Sequence, residues 1–390
     1  MSQVMSDVFT IEGPNMVGWR LLAVSFLSAL VLQCETARGD IRIATAGPMT
    51  GVYAWSGEQY QRAAVLAVHE LNVRGGVLGQ RVELVIGDDA CDPGQAVALA
   101  RKLAGDGVVF VAGHWCSHTS IPAAKIYQEV GILQIAPGSA SSKLTDEGRP
   151  NVFRVCGRDD RQGTKVGDYL ADNWAGHQIA ILDDGTTWGL GVANGVRQRL
   201  KERDVRAAVD ESFTPGKSDY SALISKMQAV GVKILFVGGY HVEAGLIFRQ
   251  AHGRGYGLRL VATSSMATED FPMIAGPELE GTVMAGQTDM RELPQAKQVV
   301  SQFRAQGYEP MGYTLYAYAA VQVWAQAVAA ANSLKLDAVI EAMHKAQFDT
   351  VLGRIRFDER GDVVGFDPWQ WYVWKSDGTY VPLEQGPAKK

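Results

Sequence analysis

Residues 81–112 read RVELVIGDDACDPGQAVALARKLAGDGVVFVA. The short apolar runs 81–86 and 108–112 predict two strands. Between them Asp92 is typical of a helix N-cap and Pro93 of a first helical residue, so we expect a helix that runs to about Ala104. A strand, a helix and a second strand in this order are typical of a parallel sheet with a crossover helix.

The same alternation continues on both sides of this segment and restarts after residue 178. Short apolar runs predict strands at 41–44, 132–136, 179–182, 205–209, 234–237 and 258–262. Helical periodicity predicts helices at 58–73, 119–130, 190–202, 219–229 and 242–252. We therefore expect an α/β fold of two doubly wound parallel-sheet lobes, with ligands bound beyond the carboxyl ends of the strands.

The C-terminal part is less regular, and its pattern does not assign it to either lobe. It contains two predicted helices and two strand-like segments, at 313–331, 336–346, 354–357 and 369–374.

Charge and composition exclude some classes of protein. The chain has 37 basic and 42 acidic residues, a net charge of −5 and a pI near 5.9. Nucleic-acid binding normally requires a clustered basic excess, so no nucleic-acid partner is expected.

The N-terminal region predicts export. Residues 21–32 carry no charge, and twelve residues of helix span only about 18 Å, too short for a bilayer core of roughly 30 Å. Arg20 before the run and small residues after it are typical of a secretory signal peptide, here residues 1–39 with cleavage after Gly39. A buried first helix is the alternative, and Met16 is an alternative start.

The hexapeptide GHWCSH, residues 113–118, raises the question of a metal site or a catalytic thiol. It lies in a strand-to-helix loop, whereas a zinc pair of histidines four apart requires a single helix face. Cys91 occupies the equivalent loop after the preceding strand, and thiols in an exported protein tend to pair. A Cys91–Cys116 bridge is the favoured interpretation, with a metal clamp and a Cys-His nucleophile as alternatives, and Cys156 is expected to be a small buried residue.

Two other motifs have ordinary interpretations. Residues 215–218, PGKS, lack the upstream glycine and the preceding strand of a phosphate loop. Residues 87–92, GDDACD, lack the closing glutamate of a calcium loop, so a solvated loop is expected there.

Small polar residues follow two neighbouring strands. Ser117 and Thr119 stand where a helix begins, and residues 137–141, PGSAS, follow the next strand. Unpaired N–H groups at a helix N-terminus attract anions, so the two loops are a candidate carboxylate site, with an ordinary N-cap as the alternative. Aromatic residues in corresponding loops are candidate walls of an apolar pocket, with core packing as the alternative: Trp55, Trp115, Trp188 and Tyr240.

Taken together, the sequence resembles the leucine/isoleucine/valine-binding protein family of type I periplasmic solute-binding proteins. The resemblance extends in order from about residue 40 to residue 375. It rests on GPMTG, LNVRGGVLGQ, DDACDP, GHWCS, YQEVGILQIAP, GGYHVEAGLIFRQA, IAGPELEGT and FDERGDVVGF. It implies two lobes joined by three crossovers, here residues 40–158 with 287–366 and residues 159–286 with 367–390.

The resemblance also assigns roles to individual residues. It implies a Cys91–Cys116 disulfide, contact of Ser117 with the ligand carboxylate, and backbone contact at Gly138. Trp188, Tyr240 and Tyr313 match aromatic wall positions. In the loop of Gly138, Ala140 falls where the family has a threonine, and Ser139 beside it is also expected to contact the ligand. Two positions differ from the family, because Trp115 replaces a leucine and Ser56 a tyrosine.

The main departure concerns the ligand's ammonium group, because the family's glutamate aligns with Ser264. A buried ammonium without a counter-charge costs several kcal/mol. Either another acid replaces the glutamate, with Glu269, Glu243 and Asp289 as candidates, or the ligand is an amide, a ureide or an aromatic carboxylate.

The resemblance implies a non-enzymatic, exported, periplasmic binding protein, expected to be a monomer without metal or cofactor. Its implied partners are a small-molecule ligand, an amino acid or related carboxylate, and the membrane subunits of an ABC permease. A sensor for amides or aromatic acids is an alternative within the fold, and a secreted Cys-His hydrolase is one outside it.

Overall fold

The computed structural model describes residues 39–383, and from Ile41 onward these residues belong to one compact unit. The predicted signal peptide lies, apart from its last residue, outside the described residues. Within them, no helix is both long and apolar enough to cross a membrane.

The first sheet has five parallel strands in the order β2-β1-β3-β4-β5. The strands are β1 (Ile41–Gly47), β2 (Val82–Asp88), β3 (Phe110–Gly113), β4 (Leu133–Ala136) and β5 (Val152–Arg154). The helices between them are α1 (Ala54–Val73), α2 (Pro93–Gly105), α3 (Ser117–Val130) and the short α4 (Lys143–Asp146).

The second sheet begins with five parallel strands. These are β6 (Ile179–Asp183), β7 (Val209–Ser212), β8 (Ile234–Gly238), β9 (Arg259–Thr263) and β10 (Val283–Gln287). The accompanying helices are α5 (Asp159–Trp174), α6 (Thr187–Glu202), α7 (Ser221–Ala229), α8 (His241–Gly253) and the short α9 (Phe271–Ala275).

The C-terminal part contributes to both lobes. Its helices are α10 (Lys297–Ala305), α11 (Thr314–Ala331) and α12 (Leu336–Lys345). Three strands form a small antiparallel sheet, and two more extend the second sheet to the order β15-β14-β10-β9-β8-β6-β7. These strands are β11 (Phe348–Thr350), β12 (Gly353–Phe357), β13 (Val363–Val364), β14 (Trp369–Trp374) and β15 (Tyr380–Pro382).

Alternate residues of one strand show that both faces of the first sheet are covered. Ile41 and Ile43 of β1 belong to the core shared with α1 and α11, whereas Ala44 and Ala46 belong to the core shared with α2 and α3. Strand β6 of the second sheet alternates in the same way between α5 with α6 and α7 with α8. The predicted doubly wound architecture is therefore confirmed.

Local signals explain where α2 begins. The Asp92 side chain accepts a hydrogen bond from the Gln95 N–H at 2.8 Å, and Pro93 occupies the first helical turn. An N-cap carboxylate satisfies one of the free N–H groups of the first turn, as predicted from the sequence.

The chain crosses between the two sheets three times. It leaves the first sheet after β5, returns after β10 to place α11 against α1 and β3, and joins the second sheet again at β14. Trp324 of α11 stacks on Phe110 of β3, with ring centroids 5.3 Å apart. Three crossovers were implied by the family resemblance.

Some predicted elements differ from the observed ones. The strand predicted at 205–209 lies at Val209–Ser212, and the helix predicted from residue 119 begins at Ser117. Pro122 therefore lies inside α3. The sequence pattern did not predict α5, β5 or β10.

Candidate functional site

The loops after β2 and β3 are joined by a disulfide between Cys91 and Cys116. Their Cα atoms are 5.7 Å apart, within the ordinary range for a disulfide of about 4.4–6.8 Å. The predicted bridge is confirmed. Because each sulfur is bonded to the other, neither is a thiolate, and the hypotheses of a cysteine nucleophile and of a metal clamp on these sulfurs lose their basis.

The two histidines of the hexapeptide hold these loops in place. Nδ1 of His114 lies 2.6 Å from Oδ2 of Asp89, and its Nε2 lies 2.9 Å from the hydroxyl oxygen of Tyr127. His118 Nε2 lies 2.9 Å from the carbonyl oxygen of Cys91. Both side chains therefore have structural partners beside the disulfide.

The aspartates of residues 87–92 accept hydrogen bonds from neighbouring residues of the protein. Burial favours a raised pKa for Asp89, but hydrogen bonds from His114, the Cys91 N–H and Thr119 hold that pKa below its usual value. Asp88 accepts hydrogen bonds from the Met49 and Ala90 N–H groups at 2.9 and 2.8 Å. The expectation of a solvated loop was wrong for Asp89, which is fully buried.

The candidate carboxylate loops are in direct contact. Ser117 is the first residue of α3, is buried, and accepts a hydrogen bond from the Ser141 N–H at 3.1 Å. The Ser139 hydroxyl donates to the carbonyl oxygens of His114 and Trp115 at 2.9 and 3.2 Å. The structure therefore brings the loop after β3 and the loop after β4 together at the N-terminus of α3.

Two buried donors without partners lie beside Gly138. A Cβ atom built on Gly138 would lie 2.4 Å from the hydroxyl oxygen of Tyr60 and 3.3 Å from Nε1 of Trp115. Among the described residues neither atom has a hydrogen-bond partner. Burial raises the pKa of Tyr60 well above its usual value, so its hydroxyl remains a donor. The sequence pattern had missed Tyr60 as a site residue.

The close approach at Gly138 gives a first prediction. Gly138→Ala would place Cβ 2.7 Å from Cδ1 of Trp115, and both Trp115 and Tyr60 are buried, so the loop must shift. We expect a loss of about 1–3 kcal/mol in the free energy of unfolding, measured by urea denaturation.

Gly105→Ala is the matched control, because nothing lies within 4 Å of a Cβ atom built on Gly105. An equal, small effect of both substitutions would contradict the close packing at Gly138.

Aromatic side chains from both lobes form one cluster. The Tyr240 ring centroid lies 5.4 Å from those of Trp115 and Trp188 and 4.8 Å from that of Tyr53. Trp55 lies 5.2 Å from Trp115 by the same measure. Trp188 and Tyr240 follow strands of the second sheet, whereas the others belong to the first lobe. The cluster therefore contains side chains from both lobes in contact with one another.

Tyr313 joins this cluster from the start of α11. Its ring centroid lies 6.3 Å from that of Trp115, and its N–H donates to Oε1 of Gln59 at 2.8 Å. The predicted aromatic positions therefore lie together, and Tyr53 is an additional member that the sequence pattern had missed.

Ser56 and Ser264, which stand where the family has a tyrosine and a glutamate, have different hydrogen-bond partners. Ser56 donates its hydroxyl to the carbonyl oxygen of Tyr53 at 2.8 Å, within the first turn of α1. Ser264 follows β9, is nearly buried, and accepts a hydrogen bond from Nε2 of Gln162 at 3.1 Å. Ser264, Trp55 and Tyr313 line a small cavity of about 40 Å³ between the lobes.

The three acids proposed to replace the family's glutamate are not equivalent. Glu269 is exposed, and Asp289 forms a bidentate ion pair with Arg291. Glu243 is buried and accepts the Gly216 N–H at 3.0 Å. Of the three, only Glu243 is therefore a buried acid near the aromatic cluster. Burial, and then the charge of Glu243, raises the pKa of the Tyr53 hydroxyl.

A buried acid that was not predicted, Asp184, follows β6. Its Oδ1 accepts hydrogen bonds from the N–H and hydroxyl of Thr186 at 2.9 and 2.7 Å. Burial, followed by the charge of Glu243, raises the pKa of Asp184 to about 6.

The chain matches known proteins over most of its length. A sequence model described as periplasmic binding protein matches residues 40–379. A Leu/Ile/Val-binding protein homolog of Brucella suis is 40% identical over 362 residues, which cover 92% of this chain and 97% of the relative. A leucine-, isoleucine-, valine-, threonine- and alanine-binding protein of Pseudomonas aeruginosa is 37% identical over 349 residues, 89% of this chain and 93% of the relative.

A solved structure shows the same fold. The substrate-binding protein of an ABC transporter from Desulfitobacterium hafniense, in complex with Leu, has a TM-score of 0.73 and 28% sequence identity. The match covers 88% of this chain and all of that one, 100%. With two parallel-sheet lobes around a buried aromatic site and this extent of identity, the chain belongs to the periplasmic binding protein family.

Proposed function

We propose that the protein is the extracytoplasmic solute-binding component of an ABC transport system for branched-chain type amino acids. The names of its relatives support this ligand class, and the family consists of binding proteins, so we infer binding without chemical conversion. The proposed partner in the membrane is the permease of the same system.

One observation carries the proposal. Donors without partners, the Tyr60 hydroxyl and the Trp115 indole N–H, lie beside Gly138, and the Ser117 hydroxyl lies at the N-terminus of α3 next to the same loop. Unpaired donors stabilise a carboxylate, and so does the N-terminus of a helix. The nearby aromatic rings from both lobes provide apolar walls for an aliphatic side chain.

Binding then favours the closed arrangement of the lobes. A ligand held by the loops of the first lobe and by Trp188 and Tyr240 of the second gains contacts that an open cleft lacks, which shifts the population toward closure. We propose lobe boundaries at residues 40–158 with 287–366 and at 159–286 with 367–390, supported by the three points where the chain changes sheets. Ser139, Ala140, Ser56 and Ser264 remain proposed ligand neighbours.

The test is the affinity for L-leucine of Ser117→Ala by isothermal titration calorimetry. A hydrogen bond to a charged group contributes about 1.5–3 kcal/mol, so we expect binding to be weaker by roughly 10- to 100-fold.

Ser301→Ala, the same chemical change at an exposed position of α10, is the matched control and should leave the affinity unchanged. If wild-type protein binds no branched-chain amino acid, the proposed function is wrong; if Ser117→Ala binds like the control, the carboxylate lies elsewhere.

A further inference from the structure

The site has two buried acids, Glu243 and Asp184, but no acid at the position that binds a ligand's ammonium group in the family. The position at which the family resemblance implies a glutamate is Ser264, whose hydroxyl carries no charge. An amino acid enclosed between two lobes needs a counter-charge, because a buried ammonium without one is strongly unfavourable.

Asp159, the first residue of α5, is a buried acid with one free oxygen. The side chain is fully buried, and Oδ1 accepts hydrogen bonds from the N–H groups of Ser142 and Asp160 at 2.9 and 2.7 Å. Among the described residues Oδ2 has no hydrogen-bond partner. Burial raises the pKa of Asp159 to about 6, as expected for a carboxylate that lacks a cation in contact.

Asp159 contacts two elements that carry proposed ligand neighbours. A Cβ atom built on Gly191 of α6 would lie 2.1 Å from Oδ2, so this oxygen faces the helix that carries Trp188 one turn earlier. On its other side, the Asp159 N–H donates to the carbonyl oxygen of Ala140 at 2.8 Å, in the candidate carboxylate loop. Asp159 therefore connects α6 of the second lobe with the candidate carboxylate loop, and its free oxygen is on the α6 side.

Asp159 is linked through one residue of α5 to Ser264, the position where the family has its acid. Gln162 lies three residues further along α5 and donates its amide to Ser264. Residues three apart on a helix are neighbours, with Cβ atoms about 5–6 Å apart. Asp159 is thus one helical turn from the residue that contacts Ser264.

The nearest cation does not satisfy this carboxylate. The guanidinium of Arg154 directs its donors to Asp362, Thr145 and the carbonyl oxygens of Ser139 and Ser141. Asp184, the other buried acid with a raised pKa, has Oδ1 bonded to Thr186 and lies beside the negative Glu243.

We propose that Asp159 binds the ammonium group of the ligand through Oδ2. It would take over the role of the family's glutamate, whose position in this chain is occupied by Ser264. This assignment rests on the proposed function and narrows the ligand to a zwitterion with adjacent carboxylate and ammonium groups, rather than a plain aromatic or aliphatic acid.

Calorimetry with two probes tests the assignment: L-leucine and 4-methylpentanoate, the same carbon skeleton without the ammonium. Asp159→Asn keeps the acceptor for Ser142 and removes the charge. We expect the preference of the wild type for L-leucine over 4-methylpentanoate to fall at least roughly 30-fold, because only the ammonium loses its partner. The ligand-free variant should have an equal or higher Tm, because an unpaired buried charge is removed.

Two other variants complete the experiment. Asp160→Asn, a neighbouring acid tied to Arg158, is the matched control and should keep the wild-type preference. Asp184→Asn tests the competing acid, and a larger loss of preference in this variant than in Asp159→Asn would overturn the assignment.

The outcomes separate the two proposals. A wild type that binds L-leucine and an Asp159→Asn variant that retains the same preference would overturn the assignment alone. A lower Tm with equal loss of both probes would overturn it as well, because that result indicates a structural role. Failure of the wild type to bind any amino acid in a full panel would overturn the proposed function and this assignment with it.

Discussion

Arg154→Met is expected to lower the free energy of unfolding by about 3–5 kcal/mol, because it leaves the buried carboxylate of Asp362 without its main partner. The Arg154 side chain is fully buried and donates from Nε to Asp362 at 2.9 Å and from Nη1 to the Ser141 carbonyl at 2.7 Å. Burial favours a raised pKa for Asp362, and the charges of Arg154 and Arg158 hold that pKa below its usual value. Urea denaturation followed by circular dichroism measures the effect.

The matched control for this prediction is Arg354→Met. Arg354 pairs with Asp349 at 2.7 Å, but both side chains are exposed, so solvent replaces the lost partner and little change is expected. Equal effects of the two substitutions would refute the view that burial decides the strength of the Arg154 pair. Arg154→Met should also loosen the Ser139–Ser141 loop, because it removes two hydrogen bonds to that loop's carbonyl oxygens.

Removal of the disulfide is the second large effect. The double variant Cys91→Ala/Cys116→Ala should lose about 3 kcal/mol in the free energy of unfolding, because a crosslink over a separation of 25 residues restricts the unfolded chain. The bridge also joins the loops after β2 and β3 directly before Ser117, so we expect weaker ligand binding in the same variant.

The wild type unfolded in the presence of a reductant should match the double variant, whereas the variant itself should not respond to the reductant. Peptide mass mapping of unreduced protein should find residues 91 and 116 in one linked species. Separate peptides in the oxidised protein would contradict the bridge.

Much of the fold follows from local signals. The segment at residues 81–112 contains an N-cap, a proline in the first helical turn and two apolar runs, and each signal acts within a few residues. Because parallel strands end at the same edge of a sheet, the same pattern also placed Cys91 beside Cys116 and Ser117 beside the loop of Gly138.

The missed elements lack such signals. Helix α5 approaches α6 through glycines: a Cβ on Gly163 would lie 2.5 Å from the carbonyl oxygen of Val192 and one on Gly167 2.6 Å from Cβ of Arg199. Close backbone contact replaces a wide apolar stripe, and glycine is unfavourable in a helix by propensity alone. Strand β10 is short and contains Gly286, so its membership of the sheet depends on its neighbours β9 and β14.

Only part of the candidate site was predicted from the sequence, because only some of its residues lie in recognisable motifs. Loop residues such as Ser117 and Gly138 are recognisable from motif and position. The unpaired oxygen of Asp159 and the donors of Tyr60 and Trp115 depend on which atoms remain without partners after packing, and no local pattern contains that information.

The insertion of β14 between β10 and β15 has a consequence for biosynthesis. Helix α11 packs in the first lobe, and β14 pairs with β10 in the second. Each lobe therefore includes residues from the C-terminal part of the chain, which is synthesised last. The first lobe can therefore complete its folding once residue 366 has emerged, whereas the second lobe must wait for β14. A nascent chain interrupted before Trp369 exposes β10 as an unpaired edge, which is the type of surface that recruits chaperones and promotes aggregation.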